Sequence, residues 1–168
     1  MKKIKNLLII FTLFLSATFI FTGCSSEGNI SNSSDDKSGD ETIGLGEMFT
    51  FDDLEITLGN DISFTKINNR FSDYNGQDVV KIPITVKNIS DETHSLNMFY
   101  FSIYGANGTQ LSTVASYFDD SIDFAGDLRS GATYTKYLYF LYDGDGTYSV
   151  EFDKVWGPKT TVEFTVLK

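Results

Sequence analysis

The aspartates are the residues of this chain with the clearest capacity for chemistry. Four of them fall within the stretch FDDSIDFAGD and two more within the turn DGDG, so the set comprises Asp119, Asp120, Asp123, Asp127, Asp143 and Asp145. Carboxylate oxygens are the ligands that calcium prefers. The turn DGDG does not begin an EF-hand loop, because the twelfth position is Lys154 rather than glutamate. Asp-Gly pairs are also typical of tight turns, so turn formation is the competing interpretation.

A catalytic centre is not indicated by the remaining polar residues. His94 is the only histidine and lies in the polar stretch SDETHSLN. No Gly-x-Ser-x-Gly motif accompanies it, and no group of histidines could hold zinc. We therefore predict an exposed loop histidine, no catalytic residue, and a protein that is not an enzyme. A glycosidase needs only two carboxylates, so an enzyme that uses loop carboxylates remains an alternative.

A tyrosine-rich strand is the second feature that could contact a ligand. In TYTKYLYFLY both alternating faces are largely apolar, so neither is a simple polar surface. Aromatic residues favour strands, and a loop could cover one of the faces. Alternatively, an exposed stripe of tyrosines could stack on a sugar ring or anchor a protein partner. The possible binding surface comprises Tyr134, Tyr137, Tyr139 and Tyr142.

The amino terminus predicts export. Lys2, Lys3 and Lys5 precede an apolar run over residues 7–21, which is typical of a secretory signal peptide, predicted here for residues 1–23. As a helix, this run would be too short to cross the hydrocarbon core of a bilayer. A permanent spanning helix is therefore not predicted.

The stretch FTGC that ends this region resembles the lipobox of bacterial lipoproteins, although Phe21 stands where that family prefers leucine. The resemblance implies that the chain is cut before Cys24 and that Cys24 carries a diacylglyceryl lipid, with acyl chains such as palmitate. Two acyl chains hold a protein stably on a membrane without spanning it. Cys24 is the only cysteine, so the chain cannot form an internal disulfide.

The rest of the chain divides into a linker and a domain. Residues 24–44 are rich in serine and acidic residues and poor in large apolar groups, which predicts a flexible linker. Residues 45–168 supply enough chain for one domain. Without residues 1–23 the chain keeps ten basic and twenty-three acidic residues, a formal charge of −13. Nucleic acid is not a predicted partner, because binding its phosphates needs an extended basic surface.

The hydrophobic pattern of the domain predicts strands. Apolar residues alternate in DLEITL, DVVKIPITVKN and TTVEFTV. Pro83 cannot donate a hydrogen bond, so the second of these is expected at a sheet edge or with a bulge. Two hairpins are predicted, one through Asn107-Gly108 and one in which DGDG joins residues 132–142 to 147–156. Only STVASYFDDSIDF could hold a short helix.

This pattern defines the expected fold class. Seven to eight strands with frequent turns favour an all-β, antiparallel immunoglobulin-like β-sandwich. It would lack the disulfide of antibody domains, because no paired cysteines surround Trp156. A small ligand-binding β-barrel is the alternative.

The segment VVKIPITVKNISDETHSLNMFYFSIYGANGTQ, followed by LRSGATYTKYLYF and YSVEF, resembles a family of uncharacterised immunoglobulin-like domains on lipoproteins and secreted proteins of Gram-positive bacteria. Ser130 stands where that family often has proline. The resemblance implies a fold similar to that of a small secreted mycobacterial immunoprotective antigen, and it implies no particular activity. The matching positions are Lys87, Asn88, Phe101, Gly108, Leu128 and Gly131.

These features together predict a lipid-anchored binding or interaction module on the extracellular face of the cell membrane, with an unidentified ligand. Attachment to the membrane through Cys24, a protein or cell-wall partner, and no cofactor other than the lipid are expected. Two alternatives stay open. One is an envelope enzyme that acts on wall polymer through Asp123 or Asp127, and the other is a calcium-dependent structural module.

Overall fold

The computed structural model describes residues 39–154 and 157–168. The predicted signal peptide, Cys24, most of the predicted linker and Trp156 lie outside these residues. The described chain contains ten strands and three short 3₁₀ helices. The strands are β1 (Glu41–Ile43), β2 (Met48–Phe51), β3 (Leu54–Leu58), β4 (Ser63–Lys66), β5 (Asp78–Asn88), β6 (Phe101–Tyr104), β7 (Gln110–Leu111), β8 (Thr133–Leu141), β9 (Gly146–Phe152) and β10 (Thr160–Val166).

The three 3₁₀ helices are short connections. They span Met98–Tyr100, Ala115–Tyr117 and Ile122–Phe124. The last two lie in STVASYFDDSIDF, where a short helical piece was predicted. No helix within the described residues has the length and apolar character needed to cross a membrane.

The strands form two sheets. The first sheet has the order β1-β10-β9-β6-β7, in which β1 is parallel to β10 and the other pairs are antiparallel. The second sheet is antiparallel, with β5 at its centre. One edge of β5 pairs with β4 over residues 78–81 and with β3 over residues 84–88, and β3 in turn pairs with β2. The opposite edge of β5 pairs with β8. Alternate side chains of β3 and β10 enter the core, as their period-two pattern predicts. The predicted disulfide-free all-β sandwich is confirmed.

An aromatic cluster joins the two sheets. The ring centroid of Phe152 on β9 lies 4.9 Å from that of Phe49 and 5.8 Å from those of Phe51 and Phe101. Phe49 and Phe51 belong to β2 in the second sheet, whereas Phe101 belongs to β6 in the first. Tilted and edge-on contacts of this kind add to the burial of apolar surface. Phe152 is therefore one of the rings through which the two layers meet, and Phe140 of β8, which contacts Tyr148 and Phe164, is another.

The Asn107-Gly108 hairpin is confirmed, but the hairpin through DGDG is wrong. β6 and β7 pair around Gly108, which has φ 71°. In contrast, β8 pairs with β5 in the second sheet, while β9 pairs with β10 and β6 in the first. The DGDG turn therefore crosses between the sheets. The Tyr148 hydroxyl holds this turn, because it accepts from the Asp143 amide at 2.7 Å and donates to the Gly144 carbonyl at 2.8 Å.

The prediction that Pro83 marks an edge strand or a bulge in β5 is also wrong. β5 is central, with β8 on one side and β3 and β4 on the other. β3 pairs with β5 from Ile84 onward and β4 pairs up to Lys81, so the neighbouring strand is interrupted opposite Pro83. The Gly59 amide donates to the Pro83 carbonyl at 2.7 Å. The Pro83 nitrogen, which has no hydrogen to donate, faces this interruption, so the sheet loses no hydrogen bond there.

Ordered chain begins before the predicted domain boundary. β1 lies within residues 24–44, which were predicted to form a flexible linker. The Glu41 amide donates to the Lys159 carbonyl at 2.9 Å, and Ile43 packs against the core. A single apolar residue followed by Gly44 was too short a signal to predict this strand.

Candidate functional site

The tyrosines of β8 do not form one exposed stripe. Tyr134 packs against the main core, as does Tyr142 just beyond the strand. Tyr137 and Tyr139 lie on the opposite face, within a second hydrophobic cluster, and Tyr139 is only 3% exposed. Burial raises the pKa of Tyr134 to about 12. The four residues predicted as a possible binding surface are therefore divided between the two faces of the sheet.

A loop covers the outer face of β8, as one of the two interpretations of the sequence predicted. Residues 113–123, which we name the covering segment, run along the edge of β8 that does not pair with β5 and bring Phe118 over this face. The Phe118 ring stacks on the Tyr139 ring with centroids 4.0 Å apart and planes within 9° of parallel. The Val114 amide donates to the Tyr139 carbonyl at 3.2 Å, and the Tyr137 amide donates to the Asp120 carbonyl at 3.1 Å.

A polar contact holds the covering segment in place. Asp120 accepts a hydrogen bond from the Tyr139 hydroxyl at 2.7 Å and another from the Lys81 ammonium at 3.1 Å. Burial alone would raise the pKa of Asp120, but these two hydrogen bonds outweigh burial and lower that pKa below its usual value. Lys81 also lies over the Tyr137 ring, 3.7 Å from its centroid. Tyr137 and Tyr139 thus position the segment rather than face solvent as a pair.

A cleft of about 560 Å³ opens beside the covering segment. Its other wall is the loop between β4 and β5, residues 67–77, which we name the presenting loop. The cleft, hereafter the aromatic cleft, lies within the size range of small-ligand sites in proteins. The described residues that line it are Lys66, Ile67, Asn68, Asn69, Arg70, Phe71, Ser116, Tyr117 and Phe118.

The presenting loop is held by its own hydrogen bonds. Asn75 Oδ1 accepts from the Asn69 amide at 2.9 Å, and Asn69 Oδ1 accepts from the Phe71 amide at 3.0 Å. Ser72 Oγ donates to the Tyr117 hydroxyl at 2.7 Å, which ties the loop to the covering segment. Phe71 nevertheless remains 83% exposed. A fixed loop that holds a large apolar ring in solvent is a pre-organised contact for a ligand.

The charges of the aromatic cleft are unlike those of the chain as a whole. Its lining contains Lys66 and Arg70 and, within the described residues, no carboxylate. Lys66 pairs with Asp78 at 2.9 Å. The Arg70 guanidinium lies over the Phe71 ring, 4.7 Å from the centroid, and has no ion pair with any residue in the described ranges. The cleft therefore offers aromatic rings, side-chain amides and an unpaired cation together.

The six candidate calcium ligands are dispersed. Within residues 39–154 and 157–168, no three carboxylate, histidine or cysteine side chains are close enough to hold a metal ion. Asp120 is engaged as described, and Asp119 and Asp127 are exposed. Burial raises the pKa of Asp123. Asp143 accepts from Asn107 Nδ2 at 3.0 Å, and Asp145 accepts from the Tyr142 hydroxyl at 2.5 Å.

His94 lies away from the aromatic cleft, in an ionic cluster between the sheets. Its Nε2 is 3.2 Å from Asp52 Oδ2, and Lys154 contacts the other oxygen of the same carboxylate. His94 also exchanges backbone hydrogen bonds with Leu128. Asp52 and Asp53 have φ of 53° and 58°, a conformation that aspartate tolerates in tight turns. These contacts give His94 a structural position rather than that of an isolated exposed loop residue.

A second depression, of about 430 Å³, lies on the outer face of the first sheet. It is lined by Phe99, Tyr100, Ser102, Tyr104, Glu151, Asp153 and Lys154. Phe99 is 86% exposed. Because its lining has two carboxylates and one ammonium group, this depression differs in charge from the aromatic cleft.

Three of the residues that carried the second resemblance, Asn88, Leu128 and Gly131, form a structural corner. The Asn88 side chain is fully buried and donates to the carbonyls of Glu92 at 2.7 Å and Leu128 at 2.9 Å. Its Oδ1 accepts from the Ser90 amide and hydroxyl. The Gly131 amide donates to the Asn88 carbonyl, and Gly131 has φ 72°, where glycine is favoured. The sequence pattern behind the second resemblance therefore reflects residues that stabilise the fold, and none of them lines the aromatic cleft.

The fold and the cleft define the chain as a disulfide-free β-sandwich with a candidate ligand site on one outer face. Residues 43–161 match the model of the family described as "Domain of unknown function (DUF4352)", so the chain belongs to this family. No curated protein is similar enough in sequence to match the chain.

Three solved structures share the fold. The first is ycdA of Bacillus subtilis, assigned provisionally as a lipoprotein, with 15% identity and a TM-score of 0.56 over 70% of this chain and 38% of that chain. The yjhA protein of Bacillus subtilis has 15% identity and a TM-score of 0.55 over 71% of this chain and 97% of that chain. The secreted protein MPT63 of Mycobacterium tuberculosis has 18% identity and a TM-score of 0.54 over 74% of this chain and 98% of that chain. At these identities the similarity shows the fold alone.

Proposed function

We propose that this protein is a lipid-anchored binding module on the extracellular face of the cell membrane, and that its ligand occupies the aromatic cleft. The observation that carries the binding proposal is the exposed Phe71 ring on a hydrogen-bonded loop beside Arg70, Asn68 and Asn69. Aromatic faces, amides and a guanidinium together suit a polar chain with apolar faces, such as a wall polymer. The enzyme and the calcium-dependent module stay predictions, because the described residues offer no comparable arrangement of groups for either of them.

The lipid anchor is supported by the signal-like residues 1–23 and by the stretch FTGC. The provisional assignment of ycdA as a lipoprotein is in keeping with it. The anchor places the module between membrane and wall, where a cleft of this kind would meet wall material and secreted proteins. The net negative charge of the chain keeps the rest of its surface from adhering to an anionic envelope.

Replacing Cys24 with alanine is expected to release the protein from the membrane. Without a thiol there is no atom to carry the two acyl chains that make membrane attachment stable. Cell fractionation and mass spectrometry of the amino-terminal peptide measure the effect. Ser25→Ala is the matched control and should stay membrane-bound with its lipid. Equal membrane retention of both variants would contradict the anchor.

Replacing Phe71 with alanine is expected to weaken binding to purified cell wall by roughly threefold to tenfold, because stacking contacts are worth about 0.5–1.5 kcal/mol. The unfolding midpoint should not change, since the ring is exposed. Co-sedimentation of the mature protein with wall material measures the bound fraction. Phe99→Ala, which removes an equally exposed ring from the second depression, is the control. If wild-type protein does not sediment with wall, or if the Phe71 variant sediments as well as wild type, the proposed site is wrong.

A further inference from the structure

The aromatic cleft is an exception in an acidic protein. The mature chain has a formal charge of −13, yet the described lining of the cleft has two cations and no carboxylate. The second depression has the opposite balance, with Glu151 and Asp153 against Lys154. The local charge of the cleft therefore differs in sign from that of its surroundings.

Two carboxylates close to the cleft are already held by cations. Asp78 pairs with Lys66 and with Lys168, which lowers its pKa and keeps it ionised in those pairs. Asp120 is bound by Lys81 and Tyr139. Asp73 lies in the presenting loop and Asp119 in the covering segment, and both are exposed, but neither lines the cleft. The Arg70 charge is thus the one inside the cleft that is not cancelled by a partner among the described residues.

From this charge pattern we propose that the ligand of the aromatic cleft is a phosphodiester-linked polyol or sugar chain rather than a neutral glycan. The inference rests on the proposed function and names the chemical class of its ligand. A guanidinium presents paired N–H groups that match two phosphate oxygens, and it can do so while stacked on an aromatic ring. Arg70 lies over Phe71 in that arrangement.

The remaining lining fits the uncharged part of such a chain. Phe71, Tyr117 and Phe118 offer ring faces for the carbon skeleton of a polyol or sugar, and Asn68 and Asn69 offer amides for hydroxyl groups. Ser116 adds a hydroxyl at the rim. A neutral glycan would use the rings and amides but would leave Arg70 without a counter-charge.

The same electrostatics exclude extended nucleic acid as the ligand. Nucleic-acid binding needs many cations along a surface, whereas the described lining of the cleft has only Lys66 and Arg70. A flexible phosphate-bearing chain can enter the cleft with a single repeat while the rest stays in solvent. Binding should therefore fall as salt rises, because the contact is partly exposed and ionic.

The test is calorimetric titration of the mature protein with poly(glycerol phosphate) and, separately, with a neutral N-acetylglucosamine oligosaccharide. We expect the phosphate polymer to bind more tightly, and Arg70→Gln to weaken that binding roughly tenfold, the size of one charge-assisted hydrogen-bonded contact. Arg129→Gln is the matched control, since Arg129 is exposed and lies at the opposite end of the second sheet, before β8. The affinity of the Arg129→Gln variant for the phosphate polymer should equal that of wild type. Because Arg70 is exposed, its variant should keep the wild-type unfolding midpoint.

The outcomes separate this inference from the proposed function. Tighter binding of the neutral oligosaccharide, with no effect of Arg70→Gln, would overturn the phosphate assignment and leave a wall-binding module. Equal losses in the Arg70 and Arg129 variants would overturn it as well, because they would show general charge attraction. Arg70-dependent binding to phosphatidylglycerol vesicles without binding to the polymer would assign the phosphate to lipid and also overturn it. Failure of the wall co-sedimentation described above is a separate result that removes the proposed function.

Discussion

Replacing Phe152 with alanine is expected to lower the free energy of unfolding by about 3–5 kcal/mol, the usual cost of deleting a buried aromatic side chain. The ring is fully buried and contacts Phe49 and Phe51 of the second sheet and Phe101 of the first. Its removal leaves a cavity where the two sheets meet, and rigid strands on both sides cannot collapse into it. Urea unfolding followed by circular dichroism measures the loss.

Two matched variants sharpen this result. Phe152→Leu keeps most of the volume and should cost less than about 1.5 kcal/mol. Phe99→Ala removes a ring that is 86% exposed and should leave stability nearly unchanged. A loss below about 1 kcal/mol for Phe152→Ala would contradict this prediction and would show that the other contacts between the sheets, such as those of Phe140, are enough to hold them together.

Replacing Asn88 with alanine is expected to lower the free energy of unfolding by about 3 kcal/mol, because it removes four hydrogen bonds made by a fully buried side chain. The carbonyls of Glu92 and Leu128 each lose one of two donors, since Glu92 keeps the Ser90 hydroxyl and Leu128 keeps the His94 amide. The Ser90 amide and hydroxyl lose the Asn88 Oδ1 acceptor. These groups belong to separate loops that the Asn88 side chain holds together. The midpoint of thermal or urea unfolding measures the effect.

The control for Asn88 is an exposed asparagine with comparable bonding. Asn107 donates to Asp143 from its side-chain amide and is exposed, so water can replace its bonds. Asn107→Ala should therefore cost about 1 kcal/mol or less. Similar losses for the two variants would mean that burial of Asn88 is not what makes it important. Asn88→Asp keeps the acceptor but buries a charge, and should not restore wild-type stability at neutral pH.

The strands were predictable because their side chains alternate between core and solvent. β3, β5 and β10 carry that alternation, and their positions agree with DLEITL, DVVKIPITVKN and TTVEFTV. The same alternation does not tell which neighbouring strands a given strand pairs with. A glycine-rich acidic turn has the same sequence pattern whether it joins neighbouring strands or crosses between sheets. Here DGDG crosses, and the Tyr148 hydroxyl binds it on both sides of the first Asp-Gly peptide.

The candidate site was predictable only in part. The pattern of β8 showed that both of its faces are apolar, but not that Phe118 would cover Tyr139. The presenting loop has no periodicity, and its shape depends on bonds between side chains and backbone within NNRFSDYNGQ. One of its fixed points, Ser72 to Tyr117, joins residues 45 positions apart, a contact that local sequence does not reveal. A lone Arg-Phe pair among turn-forming residues is the signal that could have drawn attention to it.

In the anchored protein proposed above, the short strand β1 would be the first part of the sandwich to bear a pulling force. It is the edge strand of the first sheet, pairs with β10 through three residues, and is the first strand of the described residues, which begin at residue 39. Tension between membrane and wall would reach β1 before it reaches the core. Peeling these three residues would lengthen the tether by about 10 Å, at roughly 3.3 Å per extended residue, while β9 and β10 stay paired. Under tension β1 would thus separate reversibly from β10 while the remaining strands of the sandwich stay folded.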